Sequence, residues 1–363
     1  MIAPQPEHDN PTVWSLEALR GLAAWMVVYT HYASFAGIDI ALLRFAYTGV
    51  DLFFVLSGFL FAPYLLGRPL ALVEFGIRRV FRIYPAYLVA LALYVGMKAA
   101  GGLPTPYLWE HLVFAHVQSR EMTFFYNPAF WSLPAEVEFY LLLPLMARLT
   151  GGHVWRFGLL TALALAMRMA LGYAADTSLQ NTAYLAMHHL PGMLVEFLLG
   201  GVAWQISKNC KTNRTPLFLF FLGVVGWLLL ADIFARLGDQ GIDATWAKNQ
   251  ISWLAALSFS LLLPATALLP QAKPQPFMQL FVWAGRLSYG TYLLHFAALQ
   301  LAKTCLPAAP PLGVAMVACV VTLGGAWLLY RLWESPWRAF GLALARQVSA
   351  RRARPGHCLP VKH

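Results

Sequence analysis

The chain has 363 residues, 59% of them hydrophobic and 12% charged, with 26 Lys and Arg against 16 Asp and Glu and a formal net charge of +10. Soluble domains carry about 25% charged residues, so this composition, with a mean hydropathy of +0.59, excludes a water-soluble globule. It also excludes a nucleic-acid binder with its basic residues gathered on one face, because here they stand at the ends of apolar segments.

A spanning helix needs about 20 mainly apolar residues, each adding about 1.5 Å towards a hydrocarbon core about 30 Å thick. Such segments are predicted at 14–36, 47–66, 80–99, 129–149, 156–173, 185–206, 216–235, 250–269, 280–303 and 312–333. The breaks carry Gly and Pro: "GRP" at 67–69, "GGLPTP" at 101–106, "TGGH" at 150–153, "PQAKPQP" at 270–276 and "PAAPP" at 307–311. The fold class is therefore expected to be an all-α integral membrane bundle of about ten transmembrane helices. Residues 1–15, "MIAPQPEHDNPTVWS", hold no Lys or Arg and no small-residue cleavage site, so the first segment is expected to remain as a helix. No internal repeat suggests an inverted-repeat transporter. With the N-terminus placed in the cytoplasm, 19 of the 26 Lys and Arg fall on that side, which puts both termini inside. The basic stretch "ARQVSARRARPGH" fixes that topology and touches anionic lipid.

The first segment carries Arg20 near its inner end and His31 eleven residues on, about 16 Å deeper. Ser57, in "FFVLSGFL", lacks the Gly-x-Ser-x-Gly setting of a hydrolase nucleophile, and Ser57 with Gly58 reads as a close helix contact. Arg79 and Arg82 share one face at the inner start of the third segment and, with Arg20, suit either a ring of guanidinium groups making bidentate phosphate contacts or topology alone, which also places Arg at an inner helix end. In "FWSLPAEVEFYLLLPLM", Glu136 lies about 10 Å inside the outer boundary, near the level of His31. Glu138 points to another face of that helix, as packing polarity or a pore lining. His295, in the ninth segment, falls about 22 Å in from the inner face and reaches the same layer. An unpaired ionisable group at the bilayer centre costs at least about 2.5 kcal/mol, so such residues usually face a bundle interior or a wet cavity and mark function, the alternative for His31, and equally for His295, being a neutral imidazole hydrogen-bonded between helices. Trp109, Tyr126 and Trp131 on the outer side suit either sugar stacking or interface anchoring. Cys210, Cys305, Cys319 and Cys358 show no paired spacing, so neither a disulfide framework nor structural zinc is expected.

Taken in order over residues 15–340, "LEALRGLAAWMVVYTH", "GVDLFFVLSGFLF", "RRVFRIYPAYLVAL", "FWSLPAEVEFYLLLPL", "GRLSYGTYLLHF" and "WESPWRAF" resemble acyltransferase family 3. These are integral-membrane acyltransferases that modify bacterial polysaccharides, lipid-linked sugars and some antibiotics. The resemblance implies a multi-pass protein of the bacterial inner membrane, with a transmembrane domain at 1–340 and a basic cytoplasmic tail at 341–363. It implies transfer of an acyl group, acetyl first of all, from cytoplasmic acyl-CoA to a hydroxyl of a sugar, glycan or lipid-linked acceptor. The family's Arg, ten residues, then His corresponds to Arg20 and His31, its Arg-x-x-Arg to Arg79 and Arg82, and its Trp-Ser-Leu-x-x-Glu to Trp131, Ser132 and Glu136. Pro134 departs from the small polar residue usual there and bears on how Glu136 is presented. No esterase-like module is expected after residue 340.

The chemistry expected is therefore a neutral His31 acting as general base on the acceptor hydroxyl, or as an acyl carrier, with Glu136 orienting its imidazole. Arg20, Arg79 and Arg82 hold the phosphates of acyl-CoA, the donor substrate, while Trp131, Ser132 and His295 meet the acceptor. No metal is expected, and the partners are acyl-CoA, a sugar-type acceptor and membrane lipid, without nucleic acid. The competing class is a transporter or flippase for a glycan or lipid-linked sugar, with the buried charges lining its path.

Overall fold

The structure is a computed structural model that describes residues 13–175, 182–210, 214–238, 245–268 and 276–353. Residues 270–275 of the "PQAKPQP" break, Lys211, Lys273, Cys358 and the tail beyond 353 lie outside these residues. Within them the chain is helical and has no strand. In order it forms α1 (Val13–Phe35), α2 (Ala41–Phe45), α3 (Gly49–Leu65), α4 (Leu72–Ala100), α5 (Leu108–Leu112), α6 (Arg120–Phe124), α7 (Leu133–Thr150) and α8 (Val154–Ala174). There follow α9 (Thr182–Met187), α10 (Leu190–Asn209), α11 (Arg214–Gly238), α12 (Thr245–Leu262), α13 (Pro276–Cys305), α14 (Pro311–Leu329) and α15 (Ser335–Ala353).

Each predicted segment falls on a helix, but among the described residues six helical stretches are long and apolar enough to cross a membrane: 41–65, 72–100, 154–174, 182–209, 214–237 and 311–351. The remaining long helices are too polar for that criterion. α1 carries Glu17, Arg20 and His31, α7 carries Glu136, Glu138 and Arg148, α12 carries Lys248, Asn249 and Gln250, and α13 carries Gln279, Arg286 and His295. Apolar side chains fill the rest of the outside, as at Leu141, Leu163, Phe218 and Val320, all more than half exposed in the isolated chain. Such a surface suits contact with lipid.

α3 and α10 pack as a pair, as do α1 and α13. Gly58 permits the first approach: a Cβ there would collide with the carbonyl of Phe197. Gly285 permits the second, lying against the backbone of Glu17. The main apolar core lies between α3, α4, α7, α10 and α13, around Phe54, Tyr87, Phe130, Phe139, Phe197 and Leu293.

Residues 101–132 form a folded cap of short turns and helices rather than an open loop. Tyr107 (φ 65°) and Phe114 (φ 57°) hold left-handed backbone there, conformations that cost a bulky residue about 1–3 kcal/mol and persist only when surrounding contacts impose them. The cap buries His111 and His116, stacked with centroids 4.1 Å apart. At the other end of the chain, α14 passes into a π turn, Tyr330–Glu334, and then α15. The boundary expected at 340 falls inside α15.

Candidate functional site

The entry to α7 is built first. Asn127 caps the turn Pro128–Ser132 by accepting from the Ala129 N–H (2.9 Å), and its amide donates to the Leu293 carbonyl of α13 (3.0 Å). The Tyr292 hydroxyl donates to the Ala129 carbonyl (2.6 Å). Its one proton is thereby used, so Ser132 Oγ donates to Tyr292 Oη (2.7 Å). Pro134 sits in the first turn of α7, where its missing N–H breaks no helical bond, and leaves Glu136 facing inward.

This stitching closes one wall of a cavity. Arg20, Arg79, Arg82, Ser132 and Glu136 line it together, joined by Ser57, Tyr140, Tyr289 and Tyr292. Ser57 is thus a cavity residue, whereas its neighbour Gly58 makes the helix contact. The tyrosines are invisible to sequence reasoning, since an aromatic residue in an apolar helix reads as core.

The three arginines are not equivalent. Arg20 pairs with Glu17 (3.0 Å). Arg82 pairs with Glu334 (3.1 Å), a carboxylate fully buried by the π turn and approached also by Arg338 (3.9 Å). Arg79 has no carboxylate within ion-pair distance among the described residues. Its guanidinium lies over the rings of Phe61 (5.1 Å), Tyr140 (5.7 Å) and Phe75 (5.8 Å), and its buried Nε has no hydrogen-bond partner. Two of the three charges are thus already balanced, and Arg79 is the one that can receive an anion.

The expected contact between Glu136 and His31 is not made. Glu136 accepts a hydrogen bond from Tyr140 (2.5 Å), four residues on and on the same helix face, so the carboxylate is satisfied within α7. His31 lies instead against α13, its ring 4.6 Å from Phe296 and 5.4 Å from His295. Neither histidine is among the residues lining the cavity, but His295 follows Tyr292 by one helical turn, and Tyr292 forms part of the cavity wall. Trp131 is turned away and meets His188 edge-on (5.2 Å). Trp109 is exposed, whereas Tyr126 is buried, its hydroxyl donating to the Pro106 carbonyl (2.8 Å).

Glu138 has a structural task. It accepts from the Leu190 N–H at the start of α10 (2.7 Å) and from His189 Nδ1 (2.5 Å), while His189 Nε2 meets the Val117 carbonyl (2.9 Å). α7, α10 and the cap are thus held together at one point. A second buried polar group, Asp51, Glu196 and Arg168, lies away from the cavity. Arg168 donates to the carbonyls of Met187 (3.3 Å) and Asn249 (2.9 Å) there. In the cap, burial and the facing His111 push His116 down to about 3, and burial lowers His111 as well. Among the described residues no group of three or more His, Cys, Asp or Glu side chains is placed to hold a metal.

Three comparisons bear on this arrangement. The model of a family described as "Acyltransferase domain" matches residues 13–331. O-acetyltransferase OatA of Staphylococcus aureus (strain NCTC 8325 / PS 47) is 23% identical over 370 residues, which cover 90% of this chain and 57% of the relative, so the chain spans little more than half of that protein. The protein of Komagataeibacter xylinus named "Putative membrane-bound transacylase BcsY" is 26% identical over 312 residues, covering 79% of this chain and 73% of the relative. No solved structure matches.

Proposed function

The chain belongs to the acyltransferase family whose model it matches from residue 13 to 331, and on that premise we propose that it is a membrane-bound O-acyltransferase. It moves an acyl group, acetyl first of all, from acyl-CoA on the cytoplasmic side to a hydroxyl of a sugar or glycan. It crosses the inner membrane about ten times with both termini inside. The observation that carries this reading is the gathering of Arg20, Arg79, Arg82, Ser132 and Glu136 in one cavity, with an imidazole pair one helical turn beyond its wall. The name of the Staphylococcus relative, an O-acetyltransferase, agrees with acetyl as the group moved.

In this reading Arg79 takes a phosphate of the donor, and Arg20 and Arg82 contribute N–H groups while their charges stay balanced by Glu17 and Glu334. The pantetheine arm runs along the cavity towards Tyr292, over the rise of about 16 Å that separates residues 20 and 31 of α1. His31 then removes the proton of the acceptor hydroxyl as that oxygen attacks the thioester carbon, a task suited to an imidazole whose ordinary pKa is near 6.5. Glu136 acts through Tyr140, fixing its hydroxyl at the cavity rather than touching His31.

Membrane vesicles holding the wild-type protein, given radiolabelled acetyl-CoA, should pass label to surface glycan or lipid. The same vesicles with His31→Ala should lose at least about 100-fold in rate, the scale of a general base. Transfer by that variant at the wild-type rate would remove His31 from the chemistry.

A further inference from the structure

Between Tyr292 and Ala297, α13 is tied from three directions. Tyr94 of α4 donates to the Leu293 carbonyl (3.0 Å) and accepts from the Ala297 N–H (3.0 Å), so its hydroxyl meets both members of one i, i+4 pair of helix groups. Asn127 of the cap donates to the same Leu293 carbonyl (3.0 Å), and Tyr32 of α1 donates to the carbonyl of His295 (2.7 Å). The residue in the middle of this held turn is His295, fully buried.

The tautomer of His295 follows from its contacts. Its Nδ1 lies 2.8 Å from the Tyr292 carbonyl, and a carbonyl only accepts, so Nδ1 carries the hydrogen and Nε2 keeps a bare lone pair. That Nε2 is buried and has no hydrogen-bond partner, a costly state for a polar atom unless something reaches it. Of the rings around it, Phe296 offers no donor, the Tyr292 hydroxyl is given to Ala129, and the Tyr32 hydroxyl to the His295 carbonyl. His31 brings the remaining ring, its nitrogens in no hydrogen bond to a described residue, with centroids 5.4 Å apart and planes 22° apart. The two ring planes are near parallel, stacked rather than edge to edge, and an N–H···N bond between imidazoles needs their edges to meet with centroids about 5 Å apart, from ordinary hydrogen-bond lengths. A rotation of His31 that brings a ring edge to Nε2 closes the bond at a centroid separation close to the one observed, and catalytic hydrogen bonds commonly tighten only when substrate is bound.

We propose that His295 is a positioning residue for acyl transfer: its buried Nε2 accepts the N–H of His31, so that His31 presents its opposite, bare nitrogen to the acceptor hydroxyl. The inference rests on the reading of His31 as the base. In the step, the hydroxyl oxygen bonds to the thioester carbon, its proton passes to His31, the carbon–sulfur bond breaks, and the departing thiolate takes that proton. His295 neither gains nor loses one. Its lone pair fixes which nitrogen of His31 is free and steadies the imidazolium while it exists, as the third member does in a hydrolytic triad.

The test contrasts two amides in the full-length protein in vesicles, with acetyl-CoA as the probe and both label transfer and free thiol release as readouts. His295→Asn keeps a donor for the Tyr292 carbonyl but places no acceptor at the Nε2 position, whereas the longer His295→Gln places its amide oxygen there. The expected result is a fall in kcat of about 100-fold for the Asn variant with the KM for acetyl-CoA unchanged, and a return to within about 10-fold of wild type for the Gln variant. Equal rates for the two amides, whether both full or both lost, would overturn the proposal, as would a change confined to KM. Loss of transfer in His31→Ala beside equal rates for the two amides sinks this inference alone. A fully active His31→Ala sinks the base assignment and this inference with it.

Discussion

At the scale of single residues, the arginines make the sharpest division. Arg79 stands over aromatic faces with no carboxylate partner among the described residues, whereas Arg82 balances the buried Glu334. Arg79→Ala should raise the KM for acyl-CoA about 10- to 100-fold with little change in the thermal midpoint of the detergent-solubilised protein, corresponding to about 1.4–2.7 kcal/mol of lost binding. Arg82→Ala should act on stability as well as on donor binding, because removing one partner of a buried pair costs about 3–5 kcal/mol. The double variant Arg82→Ala with Glu334→Gln should recover part of that loss; a double variant no more stable than Arg82→Ala alone would show that the pair is not what holds the turn. The polar members of the cavity were legible in the sequence, since Arg20, Arg79, Arg82 and Glu136 stand out against apolar surroundings. The partner of Glu136 was not: sequence depth places it level with His31, but Tyr140, one turn away, is nearer and competes for the carboxylate. Glu334 was equally hidden, because its inward position follows from a π turn that no residue spacing announces.

At the scale of elements, apolar runs and Gly or Pro breaks located the long helices, but they passed over interruptions inside apolar sequence. The segment expected at 129–149 is a short turn followed by α7, and the one at 185–206 is broken at His188 and His189, where Glu138 caps the start of α10. The paired approach of α3 and α10 rests on Gly58, so Gly58→Ala should destabilise the protein by more than the Ala substitution of Gly96, which faces open space. Comparable thermal midpoints for the two variants would contradict that packing. The cap makes a pH prediction. His116 titrates at about 3 when folded and near 6.5 when unfolded, so below pH 6.5 the unfolded chain binds more protons. The stability that His116 contributes is therefore complete above about pH 6.5 and is lost as pH falls towards 3. Thermal midpoints measured from pH 7 to pH 5 should decline, and His116→Gln should make the decline shallower.

At the scale of the whole molecule, the helices too polar to qualify as spans by hydropathy include those that carry the candidate site. α1, α7 and α13 supply Arg20, His31, Glu136, Tyr292 and His295, while strongly apolar α11 has most of its surface outside the core. The protein is thus arranged as an ordinary bundle around polar helices, and composition alone cannot say how many helices meet lipid. Single cysteines placed at Gly102 and at Ser349, in a background without the native cysteines, should react with a membrane-impermeant maleimide from opposite sides of sealed vesicles, given the proposed topology. The chain spans a little over half of its Staphylococcus relative.

The aromatic seat of Arg79 bears on turnover. A cation balanced by a carboxylate must give that partner up before it can receive a ligand, and the partner returns to evict the ligand afterwards. Ring faces do neither. An anion docking on Arg79 meets no resident rival, so its residence time is set by its own contacts, and exchange of a spent carrier for a fresh one needs no rearrangement of neighbouring acids.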